Sequence, residues 1–310
     1  MPAFLAALQG GLPLVLARAV FVAGLLSLCG SFVFRVVVAP KVFARLSAAQ
    51  GARVERALFR LAWASFGVAA IGIAIWTFLQ TAAIAGVSGF GPTFAVLSEV
   101  LEFTQFGHLV LWQAGLLLAT AGVIVAAQLS VRFAMTAGLV VSAANVAMQA
   151  AHGHAMAMDG WFSPLFGVDV LHLCAAASWV GGLLPLMLVV RLAPCGAAAV
   201  AARWFSPMGK WCVGVLAGTA LIQGWVLVGS FTALLNASYG TVVLIKTALF
   251  VMLLGFAVLN RYGLAPALLR AEPELARRRL VGSIMVQTTV GVLAVLAAAV
   301  LSGLAPTMKM

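Results

Sequence analysis

Residues 239–260, YGTVVLIKTALFVMLLGFAVLN, hold a single charged side chain, Lys246, in an otherwise apolar run. About 20 such residues are what a helix needs to cross the hydrocarbon of a bilayer. Inside lipid the backbone finds no water, so the run must satisfy its own amides and carbonyls, which one segment achieves only as a helix. Seven more runs of the same character occupy about 14–38, 58–84, 105–128, 132–151, 165–190, 208–234 and 280–304. None is short and alternating, as the strands of a membrane barrel are. The expected fold is an all-α integral membrane protein, a bundle of about eight transmembrane helices. It forms one polytopic domain over 1–310, with its first four spans at about 14–151.

Composition leads to the same place. The chain is 64% hydrophobic and 8% charged, with a mean hydropathy of +1.15, whereas soluble domains are about half apolar. The net charge of +11 does not point to nucleic acid, because the basic residues punctuate apolar segments instead of covering a soluble face. The first residues, MPAFLAALQGGLPLVLARAV, lack a basic n-region and a small-residue cleavage site, so they read as retained sequence entering the first span. The four cysteines are scattered without a C-x-x-C pair and read as small packing residues.

Lysines and arginines orient the bundle. Lys41, Arg45, Arg53, Arg56 and Arg60 fall between spans one and two, and Arg132 between three and four. Arg191, Arg203 and Lys210 fall between five and six; Arg261, Arg270, Arg277, Arg278 and Arg279 fall between seven and eight. The even-numbered connections hold none and carry Glu99, Glu102 and Asp159 instead. The odd connections are therefore expected in the cytoplasm and both termini in the periplasm. The connection GVSGFGPTFAVLSEVLEF reads as a short interfacial helix. Gly214 with Gly218, and the pair Gly181–Gly182, read as points of close helix approach. Arg18 and Arg35, near span ends, are expected to snorkel outward.

On that orientation all four histidines lie in the outer half. AAHGHAMAMDGW, residues 151–162, interleaves His152 and His154 with Met156 and Met158 at the mouth of the fourth span. His108 opens the third span, and Met308 and Met310 end the chain on the same side. His172 lies inside the fifth span, roughly 10 Å below its outer boundary. Asp169 is three residues earlier on the same helical face and Trp179 seven residues later. Imidazole with thioether suits copper, Cu(I) above Cu(II), better than cations that want oxygen. The plainer readings are methionines filling an interface, histidines bonded to loop backbone, and His108 as a polar anchor. Ionisable groups inside a span are costly, which favours function for His172 and Asp169. Lys246 either snorkels or supplies a buried counter-charge. Histidines on neighbouring helices could alternatively be axial ligands of a b-type haem that moves electrons.

GHA at 153–155, DVLHLCAAASWVGGLLPL at 169–186, RWFSPMG at 203–209 and VGSFTALLNASYGTVVLIKTALFVMLLGFAVLNRYGLAPALL at 228–269, in this order, resemble the CopD family of bacterial copper-resistance inner-membrane proteins. The resemblance covers about residues 150–306; the first four spans agree with the family in layout only. It implies a multi-pass protein of the cytoplasmic membrane that moves copper inward, beside a periplasmic copper-binding partner of the CopC type. The positions it carries over are His154, Asp169, His172, Trp179, Lys246, Asn260 and Arg261. Gln287 stands where the family often has an acidic residue. The expected function is a copper permease without enzymatic activity, the alternatives being the haem protein and a non-transporting copper-relay partner.

Overall fold

The computed structural model describes residues 10–153, 156, 160, 161 and 163–307. Seven segments are helical, apolar and long enough to cross a membrane: Gly11–Val37, Ala48–Ala85, Gln105–Gln128, Pro164–Leu192, Cys195–Val228, Ser238–Ala267 and Pro273–Ser302. Ala134–Ala150, at 17 residues, is an eighth apolar helix, about 25 Å long and thus near the lower limit for a span. Each of the eight overlaps one of the eight runs read from sequence, though Ala48–Ala85 and Cys195–Val228 begin well before the runs at 58–84 and 208–234, and no strand occurs among the described residues.

The helices are α1 (Gly11–Val37), α2 (Ala39–Phe43), α3 (Ala48–Ala85), α4 (Phe90–Phe103), α5 (Gln105–Gln128) and α6 (Ala134–Ala150). They continue as α7 (Pro164–Trp179), α8 (Leu183–Leu192), α9 (Cys195–Val228), α10 (Phe231–Asn236) and α11 (Ser238–Val258). α11 runs into a π-helical turn, Leu259–Leu264, before α12 (Pro273–Ser302) closes the bundle. α4 is the helix expected in the second connection. At 38 and 34 residues, α3 and α9 outrun the bilayer, and each carries its surplus turns, with Arg53, Arg56 and Arg203, to one end. That basic end and the opposite end are each marked by exposed aromatic rings: Trp204, Trp211 and Tyr262 at the former, Phe103, Trp161 and Trp225 at the latter.

Local chemistry sets the helix starts. Ser47 and Gln50 form a reciprocal capping box for α3, Thr104 caps α5, and Ser230 caps α10. For α7, Ser163 accepts from the amides of Leu165 and Phe166, and Pro164 fills the first position, where no amide hydrogen is needed.

α1 is the central helix, packed by α3, α6, α7 and α12. Its approach to α7 is very close: a β-carbon on Gly30 would lie 2.2 Å from the Gly181 carbonyl carbon, and one on Gly181 would lie 2.0 Å from the Leu26 oxygen. The fifth span breaks into α7 and α8 at this crossing. Gly181 and Gly182 thus act as expected, but Gly214 and Gly218 do not, since a β-carbon on either would meet no neighbouring helix within 4 Å. They sit on the outward side of α9.

Arg18 and Arg35 also depart from expectation, for both turn inward. Arg35 is 9% exposed, stacks 3.8 Å over the Phe59 ring and donates to the Glu55 carbonyl. Arg18 donates to the His152 carbonyl and lies over Trp76. Aromatic faces from α3 give each guanidinium a cation–π partner inside the bundle. The cysteines are unpaired; Cys29 and Cys212 are buried, and Cys195 accepts from Arg277.

Candidate metal centre

The capped start of α7 places Asp169 five residues and His172 eight residues below Pro164, about 8 and 12 Å into the helix. α9 runs antiparallel beside it, so Gln223 and Thr219, five and nine residues before its end at Val228, reach matching depths. Two hydrogen bonds cross between the helices. Gln223 Nε2 donates to Asp169 Oδ1 at 2.7 Å, and His172 Nδ1 lies 2.8 Å from Thr219 Oγ1.

Thr219 has one hydroxyl proton and three acceptors in reach: His172 Nδ1 and the carbonyls of Val215 at 2.6 Å and Leu216 at 3.2 Å. With that proton on Val215, the shortest of the three, its oxygen accepts from Nδ1 and the Nε2 lone pair is left for another partner. A metal-binding imidazole is held in this way by its other nitrogen. Asp169 is fixed similarly through one oxygen. Its other oxygen faces Gly153, where a β-carbon would be only 3.3 Å from Oδ2. Gly153 therefore lies against Asp169.

α11 completes the site. Lys246, half-buried and eight residues below Ser238, is about 12 Å into its helix and is an electrostatic neighbour of both Asp169 and His172. Tyr239, buried at the start of α11, feels the charge of Asp169. Lys246 thus brings a positive charge into the neighbourhood of this pair. A carboxylate bonded to an amide and an imidazole bonded to a hydroxyl, with an ammonium nearby, place polar groups within the apolar helices.

His152 belongs to a different arrangement. Its Nε2 lies 3.0 Å from Gln113 Oε1, and its ring packs edge-on against Trp76 and Phe106 at centroid distances of 4.8 and 5.6 Å. Gln113, 0% exposed, donates its amide to Gln149, and Asn145 donates to the Gln113 carbonyl. The Gln113 oxygen accepts, so His152 donates from Nε2 and leaves Nδ1 without a proton. Burial, with Arg18 alongside, lowers its pKa to about 3. His152 secures the backbone just before Gly153, the residue that lies against Asp169.

His108 is exposed and bonds the Glu102 carbonyl at 2.7 Å, tying the start of α5 to the end of α4. That is the anchoring geometry. Met156 is half-buried and its carbonyl accepts from Gly160. His154, Met158, Met308 and Met310 lie outside the described residues. Among the described residues, no group of three or more His, Cys, Asp and Glu side chains is placed to hold a metal ion.

Below the cluster, Trp179 is 2% exposed and meets Phe250 edge-on. It lines a cavity of about 260 Å³ in the basic half, bounded by α8, α9, the π-helical turn and α12. There Asn260 donates to Gln287, Gln287 donates to the Leu253 carbonyl, and Arg261 donates to Ser206.

Sequence reasoning passed over Thr219, Gln223 and Gln287 as partners. The available signal was a polar pair four residues apart, Thr219 and Gln223, on one face of an apolar run.

Eight apolar helices around polar side chains held at hydrocarbon depth define a multi-pass membrane protein. The chain belongs to the copper resistance protein D family. The model of the copper resistance protein D-like N-terminal domain matches residues 8–165, and that of copper resistance protein D matches 199–301. Family likeness thus extends over the first four spans, beyond the 150–306 read from motifs. Over 225 residues the chain is 28% identical to the inner membrane protein YebZ of Escherichia coli (strain K12), covering 66% of this chain and 72% of YebZ. Over 199 residues it is 32% identical to the copper transport protein CutJ of Bacillus subtilis (strain 168), covering 60% of this chain but only 36% of CutJ. No solved structure matches. The chain is a copper-related, multi-pass inner-membrane protein.

Proposed function

We propose that this protein is a permease that carries copper from the periplasm to the cytoplasm, with His172 and Asp169 as its binding pair in the outer half of the membrane. The bond between His172 and Thr219 carries this reading, because it occupies Nδ1 and leaves Nε2 as the nitrogen open to an ion at hydrocarbon depth. The basic end faces the cytoplasm, and the opposite end, where Gly153 meets Asp169, is the mouth. His154, Met156 and Met158 capture the ion there and hand it to His172.

Thioether and imidazole donors favour Cu(I) over Cu(II). Sites with few soft ligands exchange them readily, as transport requires. Lys246 raises the cost of holding a cation beside His172, so the ion does not become trapped. The sequence contains no G-x-x-x-x-G-K-[ST] motif, so an ion gradient or a periplasmic partner of the CopC type drives uptake.

Copper accumulation in cells with and without the protein separates a permease from a non-transporting relay. The permease raises uptake and His172→Ala abolishes the increase. A relay leaves uptake unchanged. A Soret band in the purified protein identifies the haem alternative.

A further inference from the structure

The cavity of the basic half is apolar along most of its wall, yet both charged side chains that line it, Lys210 and Arg261, are cations. Among the described residues, no Asp or Glu lines it. Lys210 is 18 residues from the far end of α9, and Arg261 is 23 residues from the far end of α11. At about 1.5 Å per residue these are 27 and 35 Å, which places both at the inner boundary of the hydrocarbon. Exposed Trp211 and Tyr262 mark the same level.

The cavity opens sideways. Val258 and Tyr262 line it and are 57% and 68% exposed, and α9 and α11 touch only sparsely. Its mouth therefore faces lipid. Arg261 is held by Ser206 and lies beside Tyr262, which leaves further guanidinium hydrogens for an anion. A metal cation meets two like charges here, and a soluble peptide has no route through lipid.

We propose that this cavity binds one anionic phospholipid of the cytoplasmic leaflet, its phosphate on Arg261 and Lys210 and one acyl chain against Val213 and Leu254. Basic pockets between helices on the cytoplasmic side are suited to such headgroups. The site is independent of the copper pair and survives the failure of that reading.

The test uses the full chain in neutral detergent, delipidated and titrated in parallel with dioctanoyl phosphatidylglycerol, dioctanoyl phosphatidylcholine and inorganic phosphate. Thermal midpoint and native mass are the readouts. Phosphatidylglycerol raises the midpoint saturably and stays bound one to one; phosphatidylcholine binds at least about ten-fold more weakly, and phosphate has no effect. Lys210→Gln, on an exposed residue, weakens phosphatidylglycerol by about three-fold, and with Arg261→Gln by about ten-fold or more. Ala257→Phe fills the cavity, keeps both cations and also loses the response, while His172→Ala retains it. Equal effects of the two lipids, an effect of phosphate alone, or wild-type binding by Lys210→Gln and Ala257→Phe overturns the proposal.

Discussion

Thr219 Oγ1 holds His172 by Nδ1 at 2.8 Å and, with its own proton on the Val215 carbonyl, acts as the acceptor. Removing that acceptor frees the ring to turn and to move its proton. Thr219→Val is expected to weaken Cu(I) binding by about 10- to 100-fold, the range for loss of a partner that orients a metal-binding histidine. Thr219→Ser keeps the oxygen and stays near wild type. Competition titration against a chromophoric Cu(I) chelator measures both.

Lys246 neighbours both members of the binding pair. Lys246→Gln removes a positive charge from beside a cation, and on the order of ten-fold tighter Cu(I) binding is expected at an effective dielectric near 20. Uptake slows because release becomes the harder step. Weaker binding in this variant would instead make the ammonium a support for Asp169 alone.

His152 is buried uncharged, with a folded pKa of about 3 against an ordinary value of about 6.5. The unfolded chain takes the proton first as pH falls. The stability contributed by the neutral ring is therefore complete above about pH 6.5 and is lost progressively toward pH 3. Thermal midpoints between pH 7 and 4 should drop more steeply in wild type than in His152→Gln. Parallel profiles would show that another group governs the acid response.

Gly30 meets the Gly181 backbone, whereas Gly214 faces open space. Gly30→Ala forces α1 from α7 and is expected to cost several kcal/mol, in the upper range for overpacking of about 1–3 kcal/mol or beyond. Gly214→Ala should be neutral or stabilising by up to about 1 kcal/mol, the helix-propensity difference. Denaturation in detergent compares the two.

The spans were legible because membrane thickness sets a length that apolar runs display directly. Asp169 and His172 were legible because three-residue spacing puts them on one face of a helix. Which helix faces them was not, since nothing in the pattern of α9 says that Thr219 and Gln223 meet α7 and not lipid. The same gap explains Arg18 and Arg35, whose aromatic partners come from α3, and Gly214, whose spacing matched that of a packing motif. His152 and His154 read as one donor pair, yet His152 is engaged by Gln113 and two rings on other helices.

Metal analysis of the purified protein, with its visible spectrum recorded on the same sample, tests the central claim most directly. Wild type should bind copper near one equivalent without a Soret band, and His172→Ala should lose that copper while staying folded. Stoichiometric haem with no copper, or full copper retention by folded His172→Ala, would contradict a copper site built on His172.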